Sequence, residues 1–579
     1  MRSHARLSLV SALLALAALV VATGATSKSS PPIIQKGPEL EVQLLALNDF
    51  HGNLLPPGGS SGRVGSTNAG GAGYLATHVR MLEQTNRNSY VVSAGDLIGA
   101  SPLLSALFHD EPTIEAMNLI GLDLNAVGNH EFDEGTTELL RMQQGGCHPT
   151  DGCLDGDGFA GADFRFLAAN VVNSQTKEPL FAPYHIENFT GAKVAFIGMT
   201  LEGTPNIVSP SGVAGFDFLD EADTVNALIP ELKKQTEAIV VVVHEGGSPT
   251  SLDIDGCAGV SGPIVDIVNR LDDEVDLVIS GHTHQPYVCT FNGIPVTSAY
   301  SFGRLITDID LRVNRATKDI TSIEIDNKIV TRDVDLAEDV TALIERYDAL
   351  AAPFANRVIG HITADILRAA DPDGEQSMGN VIADAQLDAT DDPGFGDAVV
   401  SFMNPGGVRA DLLYPSSPVG EGDGVVTYGE LFTVQPFGNS LVTMTLTGAQ
   451  IDRMLEEQFC GVNSPNASPT PGFFKVLLPS AGFHYTWDAS EAGVVDCDAA
   501  NAVDAAGITL NGAPLDLGSS YRVTVNSFLA DGGDGFGVLR QGTDRLGGAV
   551  DTDAFEAYLA AAEPTGIAPA PLDRIDLQP

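Results

Sequence analysis

Six short apolar runs mark the first half of the chain, and each stops at a polar or glycine-linked residue. Val42–Leu47 runs into Asn48-Asp49, Tyr90–Ser93 leads to Gly95-Asp96, and Leu124–Val127 ends at Gly128-Asn129-His130. Lys193–Ile197, Ala238–Val243 before His244, and Val275–Ile279 before Gly281-His282 repeat the pattern. Runs of this length, rich in Val, Ile and Leu, predict buried strands, whereas Tyr74–Glu83 and Thr113–Ile120 carry helical spacing. The alternation predicts an α/β domain whose sheet is covered by helices. In open α/β sheets the site lies beyond the carboxyl ends of the strands, which is where these polar residues fall.

Leu336–Ala352 again has helical spacing but carries no chemistry-bearing side chain, and it reads as a connecting helix. After Pro353 a second α/β region begins, with an amphipathic segment near Met378–Leu387, a strand near Ala398–Phe402 and a strand–helix pair over Ser440–Glu457. A chain of 579 residues exceeds one compact core, so two or three domains are expected. The division read here is a catalytic domain over 38–335, the connecting helix over 336–355 and a substrate domain over 356–575.

Residues 1–25 carry Arg2 and Arg6, an apolar run from Leu7 to Val21, and then Thr23, Gly24 and Ala25, the pattern of a secretory signal peptide. A spanning helix needs about 20 apolar residues, so a membrane anchor is the weaker reading. The expectation is a secreted or periplasmic protein without stable membrane insertion. Cleavage removes two arginines and takes the formal charge from −46 to −48. A surface this acidic repels nucleic-acid polymers, which bind through Lys and Arg contacts to phosphate, so an anionic substrate must be small and met by local positive charge. The six cysteines of an exported chain favour disulfides; 15 pairings are possible, with neighbour pairing Cys147/Cys153, Cys257/Cys289 and Cys460/Cys497 preferred. Gln144–Ala162 reads as a surface loop clipped by Cys147 and Cys153, a solvated loop being preferred to a calcium site at Asp151, Asp155 and Asp157.

Asp49 and His51 are two apart, so in an extended segment both reach one side. Alone, that pair is a common turn feature. Its weight comes from the partners that follow in order: Asp96, Asn129 with His130, His244, and His282 with His284. Carboxylate, amide oxygen and imidazole together suit Zn, Mn, Co or Fe better than calcium, and the number of donors implies two ions with Asp96 as the natural bridge. His78, His109, His148, His185, His361 and His484 show no such partners and read as ordinary structural histidines.

This series resembles the calcineurin-like metallophosphoesterase superfamily, and in detail its 5′-nucleotidase branch. The resemblance implies a four-layer α/β/β/α domain in which Asp49, His51, Asp96 and His284 hold one metal ion and Asp96, Asn129, His244 and His282 hold the other. His284 stands where many relatives carry Gln. His130, oriented by Asp133, is implied to stabilise the phosphoryl transition state. In the second domain Asn404-Pro405-Gly406-Gly407-Val408-Arg409, Gln435-Pro436-Phe437-Gly438-Asn439 and Asn526 to Phe536 are similar to the family's substrate segments. By that resemblance Phe437 and Phe528 clamp a nucleobase, Arg409 meets phosphate, and Asn404, Gly406 and Asp534 contact ribose or base. The family arginine expected before Gly379-Asn380 is absent, and Arg368 is the candidate replacement. The domain is also implied to swing about the connecting helix. Hydrolysis of nucleoside 5′-monophosphates, with other nucleotides or nucleotide sugars as further substrates, is the activity implied. A 2′,3′-cyclic-nucleotide phosphodiesterase with 3′-nucleotidase activity, a sulfur-ester hydrolase and an inactive secreted binding protein are the alternatives.

Overall fold

A computed structural model describes residues 39–578 apart from 209–211, 252, 419 and 468–471. The expected signal segment lies outside the described residues. In chain order the first domain contains β1 (Glu39–Leu47), β2 (Ser89–Ser93), β3 (Leu124–Ala126), β4 (Arg165–Leu167), β5 (Tyr184–Phe189), β6 (Ala192–Thr200), β7 (Ala238–His244), β8 (Leu277–Ser280), β9 (Tyr287–Phe291), β10 (Ile294–Ser298), β11 (Leu305–Asn314) and β12 (Ile320–Ile329). One six-stranded sheet runs β12-β11-β1-β2-β3-β4, and the other runs β9-β10-β8-β7-β6-β5. β1 to β4 are mutually parallel, as are β6, β7, β8 and β10, with antiparallel strands at the edges.

Because side chains alternate across a strand, β1 sends Leu44 and Ala46 towards the second sheet and Leu45 and Leu47 towards covering helices. Leu44, Val92, Phe196, Val240 and Ile279 form the core between the sheets. Leu75, Val79, Ile114 and Met117, from helices Ala72–Glu83 and Glu111–Ile120, cover the first sheet, while Val225, Ile229, Ile264 and Ile267 cover the second. The layering is therefore α/β/β/α. Strands buried on both faces explain why the runs are continuously apolar rather than alternating.

The connecting helix, Glu338–Ala355, buries Val340, Ile344, Tyr347 and Ala351 at spacings of one helical face. It packs into the first domain's helical layer. The following domain has a five-stranded sheet formed by β13 (Val400–Met403), β14 (Ser440–Thr447), β15 (Leu478–Pro479), β16 (Ser520–Asn526) and β17 (Thr543–Val550), in the order β15-β13-β16-β14-β17. Helices Ser377–Asp388 and Gly448–Glu457 pack on it through Ile382, Ile451 and Met454. Thr447 and Gln450 start the second of these helices with a reciprocal capping box.

Two features differ from expectation. The β11–β12 hairpin carries no continuous apolar run, because Ile309, Leu311 and Val313 are buried on one face of β11 while Asp308, Asp310 and Arg312 alternate with them on the other. The Gln144–Ala162 segment is not simply solvated. Cys147–Cys153 clips it, and the carboxylate of Asp155, 2% exposed, accepts from Arg346 at 2.6 Å and from the Tyr347 hydroxyl at 3.1 Å on the connecting helix. Cys257–Cys289 and Cys460–Cys497 are the other disulfides.

Two predictions about stability arise here. With a formal charge of −46, self-repulsion opposes compaction, so Tm should rise as NaCl goes from 0.1 to 1 M and the Debye length shrinks from about 10 to about 3 Å. A flat or falling Tm would contradict this. Asp551, at the start of helix Asp551–Ala561, is buried, and burial pushes its carboxyl up to about 7. A carboxyl raised on folding stabilises only while protonated, so its contribution fades as pH climbs from about 4 through 7. Asp551→Asn should therefore gain more stability over the wild type at pH 8 than at pH 5, as denaturant midpoints would show.

Candidate metal centre and substrate cavity

The candidate ligands sit where strands stop. Asp49 and His51 follow β1, Asp96 follows β2, Asn129 follows β3, His244 closes β7, and His282 and His284 follow β8. Asp49, His51, Asp96, His282 and His284 all have left-handed backbones, with φ of 50°, 47°, 50°, 68° and 54°. Non-glycine residues adopt that conformation at a cost of about 1–3 kcal/mol each, and it persists only where surrounding bonds over-determine it. Here three loops are zipped together: Asp49 N–H donates to the Gly95 carbonyl at 2.9 Å, His51 N–H to the Asp96 carbonyl at 2.9 Å, and His282 N–H to the Asp49 carboxylate at 3.0 and 3.1 Å. Close approach also requires glycine at two points. A Cβ on Gly128 would fall 2.2 Å from Asp96 Oδ1, and one on Gly95 would fall 2.6 Å from His244 Nδ1.

The structure gathers all seven residues. Ligand atoms of Asp49, His51 and His284 group together, as do those of Asp96, His244 and His282. Asp96 Oδ2 lies 3.0 Å from His244 Nε2 and 3.6 Å from His51 Nε2, so one carboxylate faces both groups. Asn129 Oδ1 is 3.2 Å from His244 Nε2, and His51 and His284 bring their Nε2 atoms to 3.1 Å.

The donor set fits a cation. Assigned by its hydrogen bonds, His244 donates from Nδ1 to the Ala94 carbonyl at 2.6 Å, and His51 donates from Nδ1 to the Gly99 carbonyl at 2.8 Å. Each Nε2 lone pair then points inward, at other acceptors. Without an ion the same acceptors draw a proton: burial opposes charge, yet Asp96 and Asp49 push His244 up to about 10. Burial, followed by the nearby His244, drives His282 down to about 3. Burial alone would raise the Asp49 and Asp96 carboxyls, but His284 and His244 hold them below their ordinary range.

His130 sits beside this centre. Its Nδ1 is 2.8 Å from Asp133 Oδ2 and its backbone N–H donates to Asp96 Oδ1 at 2.9 Å. Burial works against the imidazolium, but Asp133 and Asp96 outweigh it and raise the group. Glu131, which carried no signal in the sequence beyond its place after His130, is the buried keystone of the loops. Its carboxylate accepts from the backbone of Asp96 at 3.0 Å, Leu97 at 2.9 Å and Gly128 at 2.7 Å, and from Asn125 Nδ2 at 3.1 Å.

A cavity of about 480 Å³ lies between this centre and the second domain. Asn129, His130, Asp133 and His282 line one side, and Asn404, Gly406, Arg409, Phe437, Phe528 and Asp534 line the other. The Phe437 ring lies nearly parallel to His130, with centroids 5.8 Å apart, and the Arg409 guanidinium sits 5.7 Å from the same phenyl ring. Burial, then the Arg368 charge, holds Arg409 below its usual value. Arg368 itself is not among the lining residues; it donates to the Arg409 carbonyl at 2.7 Å and so supports the loop. Asn404 donates to Asp534 at 2.8 Å and accepts from Asn526 at 2.9 Å. Lys475, unanticipated because no motif surrounds it, also lines the cavity, with Nζ 3.6 Å from Asp534 Oδ1.

The family model for calcineurin-like phosphoesterases matches residues 42–286, and that for the 5′-nucleotidase C-terminal domain matches residues 358–541. The cell wall protein Lmo0130 of Listeria monocytogenes is 31% identical over 572 residues, which is 94% of this chain and 69% of that protein. A 5′-nucleotidase precursor from Thermus thermophilus shares 25% identity and a TM-score of 0.73, covering 93% of this chain and all of that one.

The chain belongs to the 5′-nucleotidase family of calcineurin-like phosphoesterases.

As a member of that family it is a phosphoester hydrolase, and the family implies divalent metal ions for the clusters above. The endonuclease YhcR of Bacillus subtilis is 33% identical over 502 residues, and the chain spans only 37% of YhcR's length. No helix among the described residues is long and apolar enough to cross a membrane.

Proposed function

We propose that the protein hydrolyses nucleoside 5′-monophosphates to nucleoside and phosphate outside the cytoplasm, with two divalent ions of the Zn, Mn, Co or Fe class. The observation that carries this reading is the shared cavity. Two phenyl rings, an arginine and the His130–Asp133 pair line one volume beside the clustered acids and imidazoles. Asp49, His51, Asp96 and His284 would hold one ion, and Asp96, Asn129, His244 and His282 the other. Bound there, the ions supply Lewis acidity towards the phosphoryl oxygens and a nucleophilic water at neutral pH.

The chain's own groups do the rest. Phe437 and Phe528 hold the base by stacking, which tolerates any base because each has a π-face. Arg409 neutralises phosphate from the side opposite the acids, and Asn404, Gly406 and Asp534 position ribose or base. His130, fixed by Asp133 through Nδ1, turns Nε2 towards the leaving oxygen and donates a proton there. Arg368 acts by holding the Arg409 loop. Release into the medium is supported by the signal-like N-terminus and three disulfides.

Phosphate release from 5′-AMP, 3′-AMP, 2′,3′-cyclic AMP and an RNA oligomer, compared at equal concentration, tests the substrate. Fastest release from 5′-AMP is expected; preference for the cyclic or polymeric substrate would overturn the reading. His130→Ala should cost about 10²- to 10⁴-fold in kcat, the range of a lost general acid, with metal content unchanged. An unchanged kcat would remove His130 from the chemistry.

A further inference from the structure

A second group of potential ligands lies at the rim of the cavity, away from the clusters above. Ligand atoms of His109, His148 and Asp151 group within chelating range of one another. His109 Nε2 is 3.0 Å and His148 Nδ1 3.3 Å from the same oxygen, Asp151 Oδ2. Behind them, Glu134 Oε2 accepts from His109 Nδ1 at 2.8 Å.

Three details separate this group from an ordinary ion pair. First, the Glu134–His109 bond leaves His109 Nε2 facing the cluster, the arrangement in which a carboxylate orients a metal-binding imidazole. Second, the Asp151 backbone N–H donates to His148 Nδ1 at 3.3 Å and Thr150 Oγ1 lies 3.3 Å from the same nitrogen, long contacts that an ion can displace. Third, neither Glu134 nor Asp151 pairs with Lys or Arg among the described residues, whereas neighbouring Glu138 is fully engaged by Arg141. In a chain with 76 acids and 30 basic residues, imidazoles have been placed where a surface salt bridge would use lysine.

We propose that His109 Nε2, His148 Nδ1 and Asp151 Oδ2 bind a further divalent ion, Zn²⁺ or a close analogue, with Glu134 orienting His109. Two imidazoles and a carboxylate suit that class of ion and leave a coordination position for water. The rings stack at 3.8 Å with planes 16° apart, and binding tilts them to converge. The ion does no chemistry. It ties the Cys147–Cys153 loop to Glu134, which follows Asp133, while Asp155 ties the same loop to Arg346 and Tyr347 of the connecting helix. His109 and Glu134 line the cavity, so occupancy stiffens its wall.

The test counts metal in the full chain, stripped by chelator, equilibrated with Zn²⁺ as the sole metal and freed of unbound ion. Each of His148→Ala and Asp151→Asn should hold one equivalent fewer than the wild type and lose part of the Zn²⁺-induced rise in Tm, while 5′-AMP hydrolysis stays within about twofold. Asp151 is half exposed on a clipped loop, so its amide variant keeps the test open if His148→Ala folds poorly. Equal metal content in wild type and Asp151→Asn would overturn the proposal. Because the readout is a difference in bound metal, it stands apart from whether nucleotides are the substrate.

Discussion

Asp96→Asn is expected to lower kcat/KM for any phosphomonoester by about three orders of magnitude, with bound metal falling in parallel. The carboxylate faces His244 at 3.0 Å and His51 at 3.6 Å through one oxygen, and its other oxygen accepts from the His130 backbone at 2.9 Å. The amide keeps the shape but loses a charge shared by both ligand groups, and Lewis-acid stabilisation of the transition state is worth several kcal/mol. Each 1.4 kcal/mol is about a tenfold change in rate. The side chain is buried within the zipped loops, so the loss is local to the centre and the variant should keep its fold, which circular dichroism would check. Retention of a tenth or more of the activity would mean that Asp96 does not serve both groups.

The second large effect separates phosphoester chemistry from nucleotide recognition. Phe437→Ala and Phe528→Ala should each reduce kcat/KM for 5′-AMP by about 5- to 150-fold, from roughly 1–3 kcal/mol of stacking per base. Neither should change hydrolysis of glycerol 2-phosphate, which has no ring to stack, by a comparable factor. The contrast arises because the ring partner of Phe437 is His130, and no ring pair joins it to a ligand histidine among the described residues. Equal losses on both substrates would show that these rings shape the catalytic centre instead of holding a base.

Much of this was legible before folding, for a physical reason. Val, Ile and Leu runs buried on both faces identify strands, and the polar residue ending each run falls at the carboxyl edge of a sheet. That is why Asp49, Asp96, Asn129, His244 and His282 could be ordered into a candidate site. The left-handed backbones of Asp49 and His284 could not be foreseen, because φ at a non-glycine residue is set by the loops around it. Glu131 was hidden for a related reason. A glutamate among polar neighbours reads as solvated until the Asp96 and Gly128 backbones close over it. His109 and His148 appeared partnerless because they are far apart in the chain, and the disulfide-clipped loop is what brings their rings face to face. Arg368 was read as a substrate residue from charge and position alone, and its 2.7 Å hydrogen bond to the Arg409 carbonyl emerges only in the fold. The second domain was read mainly from three glycine-rich segments, and the alignment of Asn404, Phe437 and Asp534 on one cavity depends on strand pairing across distant parts of the chain.

Metal-assisted hydrolysis of 5′-nucleotides in the cavity between the two domains, as proposed, makes activity depend on bound metal. The most direct measurement is phosphate release from 5′-AMP by the purified chain before chelation, after chelation and dialysis, and after return of Mn²⁺ or Zn²⁺. About 99% or more of the activity should be lost on chelation, from several kcal/mol of forfeited Lewis-acid stabilisation, and recovered when metal is restored. Activity that survives chelation would contradict the proposal.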